Sequence, residues 1–190
     1  MIISISGKPG SGKSSVGKLV AKKLGMTYYS MGDLRREMAR KKGMTIEEFN
    51  RLGEKDESTD RLVDEYQEEL GRKKDNFVAD GRTSFYFIPR SVKIFLDISM
   101  DEAAKRIFNE PKDNKKKRNE KEYETTDDVK NEIIERMQSD SKRYKKYYKF
   151  DCYDLSHYDF VLNTEKISIE KAAEKIVQYL KSRKLIKEKK

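Results

Sequence analysis

An α/β fold, with a parallel sheet of about five strands covered by helices on both faces, is predicted by three observations. Short apolar runs alternate with amphipathic helical stretches along most of the chain. A glycine-rich turn, Gly7-Lys8-Pro9-Gly10-Ser11-Gly12-Lys13-Ser14, joins the first apolar run to the first helical stretch. Val92-Lys93-Ile94-Phe95-Leu96-Asp97-Ile98 has the near-continuous apolar character of a central strand buried on both faces. At 190 residues the chain is long enough to bury a real core and short enough for a single domain with small insertions.

The elements follow in order. Met1–Ser6 is the first strand, and a helix from about Lys13 to Leu24 carries Val16, Leu19, Val20 and Leu24 at helical spacing. A short strand at Thr27–Tyr29 ends at Ser30, where Ser30-x-x-Asp33 has the form of a capping box for a helix running to about Lys42. Thr45-x-x-Glu48 repeats that signature and starts a helix that ends near Gly53. A third helix spans about Thr59 to Arg72, with Leu62, Val63, Tyr66 and Leu70 expected on its apolar face. Asn76–Asp80 is the next strand, followed by the central one, and Ser99-x-x-Glu102 caps a helix to about Glu110. A helix from about Asp127 to Tyr148, a strand at Phe160–Leu162 and a closing helix marked by Ile169, Ala172, Ala173, Ile176, Val177 and Leu180 complete the chain. Residues 31–75 contain no strand and are expected to form an inserted helical lobe. Residues 111–126 are polar and unperiodic, in keeping with a flap or a plain surface loop. The core would then comprise about 1–30, 76–110 and 149–190, with the flap and its helix at about 111–148.

Charged residues make up 41% of the chain, and the net charge is +9. The excess is local. Residues 105–121 hold eight Lys or Arg against three Asp or Glu, and residues 181–190 hold six against one, which leaves the remainder close to neutral. A uniformly basic nucleic-acid surface is thereby excluded, and the tail reads as a solvated end. No apolar run approaches the roughly 18 residues a membrane-spanning helix needs. Cys152 is the only cysteine, so no internal disulfide is possible, and a reducing, cytoplasmic setting is expected.

The glycine-rich turn fits G-x-x-x-x-G-K-[ST] between a strand and a helix, the context in which that pattern signifies a phosphate-binding loop. Glycines let the backbone turn its N–H groups inward around an anion, and the helix N-terminus adds its positive end. Lys13 can reach the outer phosphates of a nucleoside triphosphate, Ser14 can ligate Mg²⁺, and Ser15 follows on the same turn. A second phosphorylated substrate would demand further cations at strand ends and helix starts. Arg36 lies one turn into the helix after Ser30, and Arg82 stands just past the strand that ends at Asp80. Asp80 is placed to hold the hydration shell of Mg²⁺. Arg136, Asp140 and Arg143 fall at i, i+4 and i+7 on one helix face. Taken alone that face is an ordinary solvated ion-pair ladder; beside a phosphate-binding loop it reads as a second set of phosphate ligands.

These motifs resemble the nucleoside monophosphate kinases, and among them the cytidylate kinases of archaeal type. The resemblance runs over nearly the whole chain. It rests on Gly7–Ser14, on Tyr29-Ser30-Met31-Gly32-Asp33-Leu34-Arg35-Arg36, on Asp80-Gly81-Arg82 and on Val92–Asp97. Narrower matches are Arg136-x-x-Ser139-Asp140-x-x-Arg143-Tyr144-x-x-Tyr147-Tyr148, Asp154-Leu155-Ser156-x-Tyr158-Asp159 and Val161-Leu162-Asn163-Thr164. Asp80-Gly81 runs directly into Arg82, without the Phe-Pro that adenylate kinases carry there, which favours the cytidylate branch. The resemblance implies transfer of the ATP γ-phosphoryl group to CMP, and to dCMP as well, with Mg²⁺. It implies that Arg36 and Arg82 grip the acceptor phosphate and that Arg136 and Arg143 are lid arginines oriented by Asp140. Arg106 would lie near the ATP base or phosphates and Asn163-Thr164 near the adenine edge, and Ser30, Asp33 and Asp60 would read the acceptor nucleoside. The expected partners are small nucleotides, with no specific nucleic acid and no membrane, and the expected state is a monomer.

Two rivals remain at this stage. One is a kinase of another small acceptor, such as AMP, UMP or dephospho-coenzyme A. The other is a nucleotide switch that hydrolyses slowly and transfers nothing. His157 and Cys152 lack partners at metal-ligand spacing, and Tyr144, Tyr147 and Tyr148 are expected to pack rather than to stack on a base.

Overall fold

The computed structural model describes residues 1–111 and 123–186. Five strands, β1 (Ile2–Gly7), β2 (Thr27–Ser30), β3 (Phe77–Asp80), β4 (Val92–Asp97) and β5 (Phe160–Asn163), form one sheet in the order β2-β3-β1-β4-β5. Every pairing is parallel. The helices are α1 (Lys13–Leu24), α2 (Met31–Lys41), α3 (Ile46–Gly53), α4 (Ser58–Lys73), α5 (Ser84–Phe87), α6 (Met100–Phe108), α7 (Thr126–Tyr148) and α8 (Ile169–Ser182). Strand and helix boundaries lie within one or two residues of those expected. The single turn α5 and a 3₁₀ turn at Leu155–His157 were not expected; both are too short to show a period.

Alternation along the central strands sorts side chains to the two faces. Ile3, Ile5, Val78, Ile94 and Leu96 pack with Val16 and Val20 of α1 and Ala173, Ile176 and Leu180 of α8. Ile2, Phe77 and Ala79 pack on the other face with Met31, Val63, Leu70 and Ile88. Ile3 and Ile5 are wholly buried, and truncating either to alanine would cost about 2–5 kcal/mol. The serines of β1 are buried too, and each has a partner. Ser4 and Ser91 share a hydrogen bond of 2.8 Å, and Ser6 Oγ donates to the Gly81 carbonyl at 2.6 Å. The second bond ties the end of β1 to the turn after β3.

One expectation about α4 is corrected. Leu62 is 59% exposed and Tyr66 37%, whereas the inward stripe is Thr59, Asp60, Val63, Asp64, Gln67 and Leu70. Polar groups share the inner face because Asp60 and Asp64 meet arginines and hydroxyls of α2, α7 and the turn after β3, while Val63 and Leu70 join the apolar layer on the sheet. An aromatic cluster of Phe85, Tyr144 and Phe150 with Tyr148 and Tyr158 anchors the C-terminal half of α7. His157 lies over the Phe85 ring at 5.2 Å. Ile98, Ala103, Ala104, Val129 and Ile133 join α6 to its N-terminal half. Among the described residues no helix is long and apolar enough to cross a membrane.

Candidate functional site

All five strands are parallel, so their carboxyl ends gather at one edge of the sheet, where an open α/β sheet binds ligands. Gly7, Ser30, Asp80, Asp97 and Asn163 mark those ends. The loop from Gly7 to Gly12 leaves β1 there and feeds α1, which begins at Lys13. Gly10 and Gly12 both have left-handed φ, +77° and +80°. A Cβ at Gly10 would also sit 2.9 Å from Ala103, so α6 packs directly on the loop.

Two adjoining cavities open at this edge. The larger, of about 850 Å³, is lined by Pro9, Gly10, Gly12, Lys13, Ser14 and Ser15 and across from them by Arg106, Glu110 and the start of α8. The smaller, of about 70 Å³, is lined by residues of α2, α4 and the turn after β3. Lys13, Ser14, Arg36, Arg82 and Arg136 line both. One lysine and three arginines thus form a shared wall.

The electrostatics of that wall are those of an anion site. Burial pushes the Lys13 ammonium down to about 8, with Arg82, Arg136 and Arg36 adding to the effect and Asp80 opposing it. Ser14 Oγ donates to Asp80 Oδ2 at 2.5 Å, and Tyr28 donates to the same oxygen at 2.9 Å. A hydroxyl and a carboxylate therefore meet beside Lys13. Arg36 Nε and Arg82 Nη2 are buried without a hydrogen-bond partner among the described residues. Leaving such donors unmatched is costly, and an anion would satisfy them.

Behind the wall lies a buried charge web. Asp140 Oδ2 pairs with Arg82 Nε at 2.6 Å, and Asp140 Oδ1 accepts from Arg143 Nη2 at 2.6 Å. Tyr153 donates to Asp140 at 2.9 Å. Burial by itself would raise the Asp140 carboxyl, but Arg82, Arg143 and Arg136 outweigh it and hold the group below its ordinary value. Arg143 Nη1 donates to both oxygens of Asp60, and Arg35 Nη1 reaches Asp60 Oδ1 at 2.7 Å. α2, α4 and α7 are clamped together by these bonds.

Several expected site residues are placed differently. Arg143 is only 1% exposed, lines neither cavity and has its charge matched by Asp60 and Asp140. In this structure it ties α7 to α4. Asp140 pairs with Arg82 and Arg143, and Arg136 adds to the positive charge that lowers its carboxyl. Asp60 lines the small cavity, but its charge is taken by two guanidiniums. Ser30 lines neither cavity and caps α2, accepting from the Asp33 N–H at 3.2 Å. Asp33 lines the larger cavity and pairs with Arg36 at 2.6 Å. Gly7, Lys8 and Ser11 belong to the loop but not to either lining, and the Lys8 ammonium is held by Asp97 at 2.6 Å. Arg106 lines the larger cavity, and its Nη2 donates to the Thr164 and Glu165 carbonyls at 2.8 and 2.9 Å, bringing the segment after β5 to the cavity rim. The basic run Lys115-Lys116-Lys117-Arg118 of the polar segment after α6 lies outside the described residues.

Arg35 and Asp64 line the small cavity and were not anticipated. A signal existed for each. Met31, Arg35 and Ala39 recur at i, i+4 and i+8, which sets Arg35 on the buried stripe of α2. Asp64 belongs to the 60-63-64-67 stripe of α4.

Loop, sheet and adjoining cavities define a P-loop α/β protein whose two cavities share a wall of basic side chains. A sequence profile described as the cytidylate kinase-like family matches residues 2–166. A cytidylate kinase of Methanocella arvoryzae is 40% identical over 87% of this chain and 89% of its own. One of Archaeoglobus fulgidus is 34% identical over 97% of each. In fold, a shikimate kinase from Bacteroides thetaiotaomicron aligns with a TM-score of 0.64 at 16% identity, covering 95% of this chain and 98% of that one. The chain belongs to the cytidylate kinase-like family.

Proposed function

We propose that the protein transfers the γ-phosphoryl group of ATP to CMP, and to dCMP, yielding ADP and the diphosphate. The observation that carries this reading is the wall of Lys13, Arg36, Arg82 and Arg136 common to two cavities. A phosphoryl group in flight between two nucleotides needs cations facing both, whereas a hydrolytic switch needs only the first cavity. The relatives named cytidylate kinase supply the acceptor.

In this reading Gly7–Ser15 cradle the ATP phosphates, and Arg106 and the Asn163-Thr164 segment flank its base. Lys13 donates to the transferring group as charge accumulates on it. Arg36 and Arg82 hold the acceptor phosphate in line, and Arg136 closes on the junction. No covalent intermediate with the protein forms; the rate comes from positioning and from charge stabilisation in a dry site. The hydroxyl of Ser14 and the carboxylate of Asp80 are hard oxygen donors, few in number, which fits a Mg²⁺ ion that keeps most of its waters. Such an ion neutralises the β- and γ-phosphates when bound. Residues 31–75 serve as the acceptor lobe, about 111–148 as the lid, and the rest as the core. The protein works as a cytoplasmic monomer.

The deciding experiment is ADP release with CMP, dCMP, UMP, AMP and dephospho-coenzyme A as acceptors. CMP is expected to give the highest kcat/KM; ATP consumption unaffected by any acceptor would overturn the kinase reading. Arg82→Ala is expected to raise KM for CMP roughly 10–100-fold, the value of a hydrogen bond to a charged group, and KM for ATP far less. An equal rise for both would remove Arg82 from the acceptor side.

Lys13 supplies a further check. Burial lowers the Lys13 ammonium to about 8, and bound phosphates would favour its charged form. ATP binding is therefore expected to take up protons near that pH. Titration calorimetry in two buffers of different ionisation enthalpy measures this, with Lys13→Met as the control that takes up none.

A further inference from the structure

Asp80 is buried at the carboxyl end of β3, and its two oxygens are used differently. Oδ2 accepts from the Ser14 hydroxyl at 2.5 Å and from the Tyr28 hydroxyl at 2.9 Å. Oδ1 accepts no hydrogen bond among the described residues, and Asp80 lines a cavity beside Lys13 and Ser14. Tyr28 lines neither cavity. Whatever its hydroxyl does for a ligand, it does through Asp80.

The chain gives up helix propensity to bring this hydroxyl in. Tyr28 pairs with Val78 across β2 and β3, so Asp80, two residues further on, lies on the same face of the sheet. That is the face covered by α1. To reach Asp80 the Tyr28 ring must pass α1, and it does so at Gly17, in the interior of that helix. A Cβ at Gly17 would lie 3.0 Å from Tyr28 Cε2, closer than ordinary packing. Glycine inside a helix is unfavourable, and at this position no left-handed φ calls for it. Room for the ring is what it provides. Lys18 Nζ lies over the same ring, 5.7 Å from its centroid. Burial and the neighbouring Asp80 charge both push the Tyr28 phenol above its ordinary value, so it stays a donor to the carboxylate.

We infer that Tyr28 is a positioning residue for the Mg²⁺ of the reaction: its hydroxyl pins Asp80 Oδ2 and so leaves Oδ1 aimed at the water shell of the ion. The inference rests on the reading of Ser14 and Asp80 as the Mg²⁺ site. A carboxylate with one oxygen held by two donors has lost its rotamer freedom before the ion arrives. Ser14 has to serve the ion as well as the carboxylate, whereas Tyr28 serves the carboxylate alone. Groups that orient a metal ligand in this way are commonly worth about 10–100-fold in metal affinity.

The test is ATP binding without acceptor, measured by titration calorimetry in EDTA and in excess Mg²⁺, for the full-length protein and Tyr28→Phe. Phenylalanine keeps the ring against Gly17, so the fold should survive, and a thermal melt checks it. The tightening that Mg²⁺ brings, Kd in EDTA over Kd in Mg²⁺, is expected to fall roughly tenfold. Kd in EDTA and KM for CMP should not move. An unmoved ratio overturns this inference alone. Equal weakening in both conditions would make Tyr28 a support of the loop, and overturns it too. A wild-type protein whose ATP affinity ignores Mg²⁺ overturns the Mg²⁺ reading as well. In an Asp80→Asn background Tyr28→Phe is expected to change nothing further. An added loss of the same size there would show that the hydroxyl does not act through Asp80, which also overturns the inference.

Discussion

Replacing Lys13 with alanine is expected to lower kcat by roughly 10²–10³-fold or more while the protein stays folded. The ammonium is half-buried on the wall shared by the two cavities, and burial already works against its charge. Removing it therefore relieves an unfavourable buried cation in the empty protein, so the melting temperature should hold or rise. In the proposed mechanism the loss falls on the transition state, where phosphoryl charge would face Lys13 and three arginines. Thermal melts and steady-state assays on the same preparation separate the two effects. Full turnover in the variant would remove the loop from the chemistry.

Arg143→Met should do the reverse, with its main effect on stability. Arg143 bridges Asp60 and Asp140, both of them buried. Removing one partner of a buried pair leaves charge poorly compensated and costs about 3–5 kcal/mol. For a chain of this size that is a fall in Tm of roughly 6–20 °C. A unique role in catalysis would instead leave Tm unchanged and abolish turnover at saturating substrate. The pH dependence follows the carboxylate partner. Asp140 is held below its ordinary value of 3.8, so its contribution is fully present above that value. It is lost as pH falls through the lowered value, and Asp140→Asn should remove that part of the acid transition.

The fold was legible because its signals are local. A capping box at Thr45, confirmed by reciprocal bonds to Glu48, and a continuous apolar run at Val92–Leu96 depend on neighbours in sequence. The loop Gly7–Ser14 is legible for the same reason. The clamp on Arg143 is not, because its main partner, Asp60, lies 83 positions away. From the sequence, Arg136, Asp140 and Arg143 show only that they share a helix face, and a shared face does not say whether water or a second helix covers it. The inward face of α4 was misjudged for a related reason. Leu62 and Tyr66 look like core residues until Asp60, Asp64 and Gln67 are seen to face arginines and hydroxyls. Arg35 sits beside the more conspicuous Arg36, and only the spacing of Met31 and Ala39 separates a buried arginine from a solvated one.

The sheet order has a bearing on synthesis. β1 pairs with β3 and β4, and β2 pairs with β3. Neither of the first two strands has a partner among the first 76 residues. The apolar run Ile2–Ile5 must therefore wait until Leu96 has been translated before both its edges can be covered. At ordinary elongation rates of about 5–20 residues per second that interval is roughly 5–20 s. During it β1 stands on the nascent chain with both edges unpaired, covered only by what α1 can reach. The strand order that converges five carboxyl ends on one edge thus also leaves the early polypeptide with an unpaired apolar strand until its partners are made.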